Sequence, residues 1–160
     1  MITIIPCLEV MKAVTDKNLQ SGASEIRREA FSISNELMSL TNVDLLLEGN
    51  LFDRIKPRLN DNHITFFNSV YKIDNSAKGV LGYDVVKSIT WVANSESESR
   101  RVIIITDNPK IYSAKKRRIC VISPTDFISK YKRALLLCDS KVLSSLDDAL
   151  IVVFFYEEML

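Results

Sequence analysis

RVIIITDNPKIYSAKKRRICVISPTDF, residues 101–127, decides the fold. Val102–Ile105 is an apolar run that ends at Thr106-Asp107, and a basic segment separates it from a second run, Ile119–Ile122, that stops at Ser123-Pro124. Short β-branched runs bounded by turn residues predict buried strands. Ser123 before Pro124, with Asp126 close behind, predicts the start of a helix. The stretch therefore reads as strand, short helix, strand, helix. In a parallel sheet the carboxyl end of a strand is where ligands bind, and Asp107 stands there.

Working outward, Ile2–Ile5 predicts another buried strand, stopped by Pro6, and Leu8, Met11 and Val14 follow at helical spacing. Ile26, Ala30, Ile33, Leu37 and Leu40 form one apolar stripe of a long helix, with Ser24 as its expected cap. VDLLL at 43–47 is expected to open a further helix that Gly49-Asn50 or Pro57 interrupts. HITFFNSVY at 63–71 fits strand and helix equally. GYDVVKSITWVA at 82–93 is helical, with Val85, Val86, Ile89, Val92 and Ala93 on one face and Asp84 at its start. ALIVVFFY at 149–156 fits a strand or a core helix. Trp91 and the phenylalanines are expected in the core. Helices alternating with buried strands give an α/β class with a mainly parallel sheet.

The 160 residues suit one domain, 1–160, with 132–160 as a C-terminal extension of open structure. A net charge of +1 points to neither a nucleic acid nor a membrane through bulk electrostatics. Cys7, Cys120 and Cys138 are odd in number and lack CxxC spacing, which fits thiols in a reducing compartment. With no basic leader and apolar runs too short to span a bilayer, a cytoplasmic protein is expected. His63 is the only histidine and there is no P-loop, GxGxxG or nucleophile elbow, so triad, zinc and nucleotide chemistries lack their parts.

Asp84, Asp107 and Glu9 fall at comparable places, beside strand ends or helix starts. Clustered carboxylates at one sheet edge suit Mg²⁺ or Mn²⁺, which prefer oxygen ligands. Each acid also has a plainer reading, Asp84 and Asp107 as helix caps and Glu9 as a solvated helix residue. Lys115, Lys116, Arg117 and Arg118 form the densest basic cluster, expected either as a nucleic-acid contact beside the acids or as a solvated helix end.

Asp84 with VVKSITWVA, then VIIITD, then ICVISPTDF, resembles the C-terminal half of PIN-domain nucleases; ITIIPCLEVMKAV and SGASEIRREAFSISNELM are similar to N-terminal segments of larger members. The resemblance spans about residues 1 to 131, with little support between 43 and 75. It implies a PIN-like three-layer α/β/α fold and an Mg²⁺- or Mn²⁺-dependent endoribonuclease. Asp84 and Asp107 would then be the metal-binding catalytic acids, Glu9 would assist, and RNA would be the substrate. The chain departs from the family in having no Asp-Thr-Asn, so the first acid is absent and its strand is expected to be missing. That departure implies the alternative, an inactive PIN-like scaffold that binds RNA or a protein partner, with a homodimer as a further option. The apolar tail reads first as a closing core element with solvated glutamates, and second as a terminal strand that fills the vacant sheet position and brings Glu157 near the other acids.

Overall fold

The computed structural model describes residues 1–15, 22–81, 84–112 and 117–156. Its centre is a parallel five-stranded sheet in the order β3-β2-β1-β4-β5. The strands are β1 (Ile2–Pro6), β2 (Val43–Glu48), β3 (Lys72–Asp74), β4 (Arg101–Ile105) and β5 (Ile119–Ile122). β1 lies between β2 and β4, with Ile2 opposite both Val43 and Arg101. Every residue of β1 is buried, as a central strand covered on both faces requires.

The helices are α1 (Leu8–Thr15), α2 (Gly22–Leu40), α3 (Gly49–Ile55), α4 (Asp61–Val70), α5 (Lys78–Leu81), α6 (Val85–Glu96), α7 (Pro124–Asp139) and α8 (Leu146–Ile151). α2 and α7 pack on each other on one face of the sheet, and α6 lies against β1, β2 and β4 on the other. The result is a three-layer α/β/α fold, as the alternation of elements predicts. Ser123 caps α7 by accepting from the Asp126 N–H at 3.2 Å, with Pro124 in its first turn.

Several expectations are corrected. VDLLLE is strand β2 rather than a helix, because it is buried on both faces and so carries no alternation. The ambiguous HITFFNSVY lies largely in α4. Ser24 is buried inside α2, which already begins at Gly22. Trp91 is 45% exposed and Phe66 39%, so neither belongs to the core. The position beside β4 is not vacant, because β1 itself pairs with β4 along its length. The tail is not a strand: α8 runs into a π-helical turn at Val152–Tyr156, and Glu157 lies outside the described residues. Its buried Val153 and Phe154 join the same core as the strands, with the Phe154 ring 5.5 Å from that of Phe127.

Candidate functional site

In an open parallel sheet the crevice lies at the carboxyl ends of the strands where the winding order reverses, which here is between β1 and β4. β1 delivers Cys7 to this edge and β4 delivers Thr106 and Asp107. The Cys7 N–H donates to the Ile105 carbonyl at 2.9 Å, and the Thr106 N–H donates to the Ile122 carbonyl at 2.9 Å, so the three strand ends are tied together. The Cys7 thiol donates to the Tyr112 hydroxyl at 3.2 Å. Burial pushes this thiol up to about 12, beyond what its hydrogen bonds to Tyr112 and Thr106 offset; the negative charges of Glu9 and Asp107 add to the rise. Burial likewise raises the Tyr112 phenol. The group at the end of the central strand is therefore neutral at ordinary pH.

Asp107 does not cap the 3-10 turn that follows it. Asn108 occupies the cap position there and makes no side-chain capping bond. Instead the Arg27 guanidinium, from the second turn of α2, grips the Asp107 carboxylate with two nitrogens, Nε reaching Oδ1 at 3.2 Å and Nη2 bonding Oδ2. The hydrogen bonds to Asp107 hold Arg27 above its ordinary range. Both side chains line a shallow cleft of about 220 Å³ with Ala23, Ile26 and Pro124.

Glu9 and Asp84 face a different cleft. It encloses about 400 Å³ and is lined also by Leu8, Arg54, Ile111 and Tyr112. Asp84 caps α6, accepting from the Lys87 N–H at 3.1 Å, which bears out its plainer reading. Glu9 is exposed on α1. Glu9 and Asp84 thus share one cleft and Asp107 lines another, while the charge of Glu9 also reaches Cys7 and Arg27, the two groups beside Asp107. Among the described residues no group of three or more His, Cys, Asp or Glu side chains is placed to hold a metal ion. The donor set fits a hard divalent cation poorly: the Asp107 carboxylate is matched by a guanidinium, Asp84 caps a helix, Glu9 is exposed on α1, and the strand-end thiol is neutral.

Arg117 and Arg118 stand in an exposed turn before β5, at the opposite edge of the sheet from Asp107. The Arg118 carbonyl accepts from Val102 at the start of β4, and its guanidinium donates to the Glu98 carbonyl at 3.4 Å. A strand of four residues spans about 13 Å, so this basic pair does not adjoin the acids as expected. Lys115 and Lys116 lie outside the described residues.

The sequence reading did not single out Cys7, Arg27 or Glu48. Glu48 ends β2 as Asp107 follows β4, and the same signal, an acid closing an apolar run, marks it. It is fully buried, and its carboxylate accepts the N–H groups of Asn50 at 3.0 Å and Leu51 at 2.9 Å. Burial raises its pKa despite those bonds. Asn50 in turn donates to the Ser88 hydroxyl at 3.0 Å, joining α3 to α6. Glu48 is thus a structural acid under the sheet edge.

Compared with known proteins, the chain matches no family model, no curated protein and no solved structure.

Proposed function

We propose that this chain is a non-catalytic PIN-like domain that serves as a binding scaffold, with a protein as its partner. The observation that carries this reading is the Arg27–Asp107 pair. A hydrolytic acidic pocket needs that carboxylate for a cation; here a guanidinium already satisfies both of its oxygens, and a metal would have to displace it. Cys7, at the end of the neighbouring central strand, offers a protonated thiol where an acid would be needed. A protein fits better than RNA because the larger strand-end cleft sets two acids, Glu9 and Asp84, against one cation, Arg54, a balance that opposes phosphate, while Arg117 and Arg118 lie at the far edge of the sheet.

The test is a calorimetric Mn²⁺ titration of the wild-type chain and of Asp107→Asn, alongside cleavage of labelled single-stranded RNA in Mg²⁺ and Mn²⁺. The expected result is neither Asp107-dependent metal binding nor cleavage. Metal binding and cleavage that are both lost in Asp107→Asn would restore the ribonuclease reading. RNA anisotropy decides the partner class: salt-sensitive binding that disappears in an Arg117→Glu/Arg118→Glu variant would replace the protein partner with RNA.

A further inference from the structure

The two edges of the sheet are unequal. β3 is three residues long and two of them, Lys72 and Asp74, are charged, which is how exposed edges are usually blunted. β5 is Ile-Cys-Val-Ile, with neither a charge nor a proline. Among the described residues its only strand partner is β4. The carbonyls of Arg118 and Ile122 accept from Val102 and Thr106, so the even-numbered residues of this segment direct their backbone groups at β4. Alternation then turns the N–H and C=O of Ile119 and Val121 outward. Beside them runs a groove of about 760 Å³ whose lining includes Arg117, Cys120, Asp126 and Phe155.

We propose that this edge is a self-association surface, and that its occupant is β5 of a second copy of the chain, paired antiparallel about a two-fold axis at Cys120. The charges select this occupant. Arg117 precedes the strand, whereas Asp126 lies in the first turn of the helix that follows it and is tied by its N–H to Ser123. A two-fold centred on Cys120 sets Arg117 of each copy opposite Ser123 of the other, beside Asp126. The patch is therefore complementary to itself, as an isologous interface must be. In the same register Ile119 and Val121 of opposing copies exchange their outward N–H and C=O groups. Cys120, whose own groups face β4, meets its counterpart as a non-hydrogen-bonded pair, with Cα atoms about 4.5 Å apart. That spacing accommodates a disulfide. Ser123 borders both this groove and the Asp107 cleft, but the pairing runs along β5 and uses none of Arg27, Asp107, Glu9 or Asp84, so it stands whether or not those clefts are catalytic.

The test is sedimentation equilibrium of the full chain with three changes. Val121→Pro removes one outward N–H without touching the β4 ladder. Arg117→Glu and Asp126→Arg each set like charges together twice in the symmetric pair. The expected result is a wild-type dimer, weakened about tenfold or more by each single change and restored by Arg117→Glu/Asp126→Arg together. In the dimer, diamide, which takes one hydrogen from each of two thiols and is reduced to the hydrazine, forms an inter-chain disulfide that Cys120→Ser abolishes. Circular dichroism checks that each variant is folded. A wild-type chain that stays monomeric across the accessible concentrations overturns the proposal, and so does a dimer indifferent to Val121→Pro and to both charge reversals.

Discussion

At the scale of single residues, Cys7 has the most definite consequence. Its thiol rises from an ordinary 9.0 to about 12, chiefly through burial. Between those values the unfolded chain gives up the proton and the folded chain keeps it. The contribution to stability is therefore complete below pH 9 and is lost as pH rises toward 12, by up to about 1.4 kcal/mol per pH unit. Urea unfolding at pH 8 and pH 10 should show a smaller loss for Cys7→Ala than for the wild type; equal losses would mean that the thiol is not held protonated. The Arg27–Asp107 pair has the opposite character. Its side chains are 25% and 30% exposed, so solvent screens the attraction, and Arg27→Ala should cost less than about 1 kcal/mol. A larger loss in the same unfolding assay would give the pair a structural role. Asp107 was legible in the sequence because it closes an apolar run. Arg27 was not, because the two residues stand 80 positions apart and nothing local to either foretells the contact.

At the scale of elements, the join between β2 and α3 depends on two adjacent residues. Glu48 caps α3 from a fully buried position, so Glu48→Ala leaves two N–H groups without their acceptor. A loss of about 2 kcal/mol is expected in urea unfolding. Gly49 is required by close approach: a Cβ there would lie 2.1 Å from Asn75 Oδ1 and 3.0 Å from the Asp74 carbonyl. Gly49→Ala should destabilise by about 1–3 kcal/mol, and by less in an Asn75→Ala background, since the tightest contact is then gone while the backbone carbonyl remains. If the two backgrounds give the same cost, Asn75 is not the obstacle. This join was also where the sequence was hardest to read. Strand and helix signals are periodicities, and VDLLLE is buried almost throughout, so it has none to offer. ALIVVFFY defeats the same test from the other side, being a helix apolar on most of its circumference. The legible elements carried clear pattern, as in the Ile26–Leu40 stripe of α2, or boundary chemistry beside it: Pro6 for β1, and Thr106-Asp107, Ser123-Pro124 and Asp84 for β4, β5, α6 and α7.

At the scale of the whole molecule, the C-terminal segment is a strap across the sheet. Asp147 accepts from the Asn42 N–H just ahead of β2 at 2.9 Å. The Tyr156 hydroxyl accepts from Arg101, the first residue of β4, at 2.7 Å, and the Val153 carbonyl accepts from Lys130 of α7 at 3.0 Å. Between these ties Ala149, Leu150, Val153 and Phe154 are buried in the core that the strands share. The strap's weight rests on its apolar side chains, because the Arg101–Tyr156 contact is exposed and the Phe154 ring is buried against Phe127. Tyr156→Phe should therefore cost less than about 1 kcal/mol, whereas Phe154→Ala should cost about 3–5 kcal/mol, a large share of the roughly 5–15 kcal/mol that holds a domain folded. The urea midpoint should fall sharply for Phe154→Ala with an unchanged slope, since the same surface is exposed on unfolding. A chain ending at residue 144 should lose cooperative unfolding altogether, because Phe127, Leu150 and Phe154 belong to one packed cluster. Should that shortened chain unfold cooperatively at the wild-type midpoint, residues 145–156 would be an appendage, and the sheet with its first seven helices would be the folding unit.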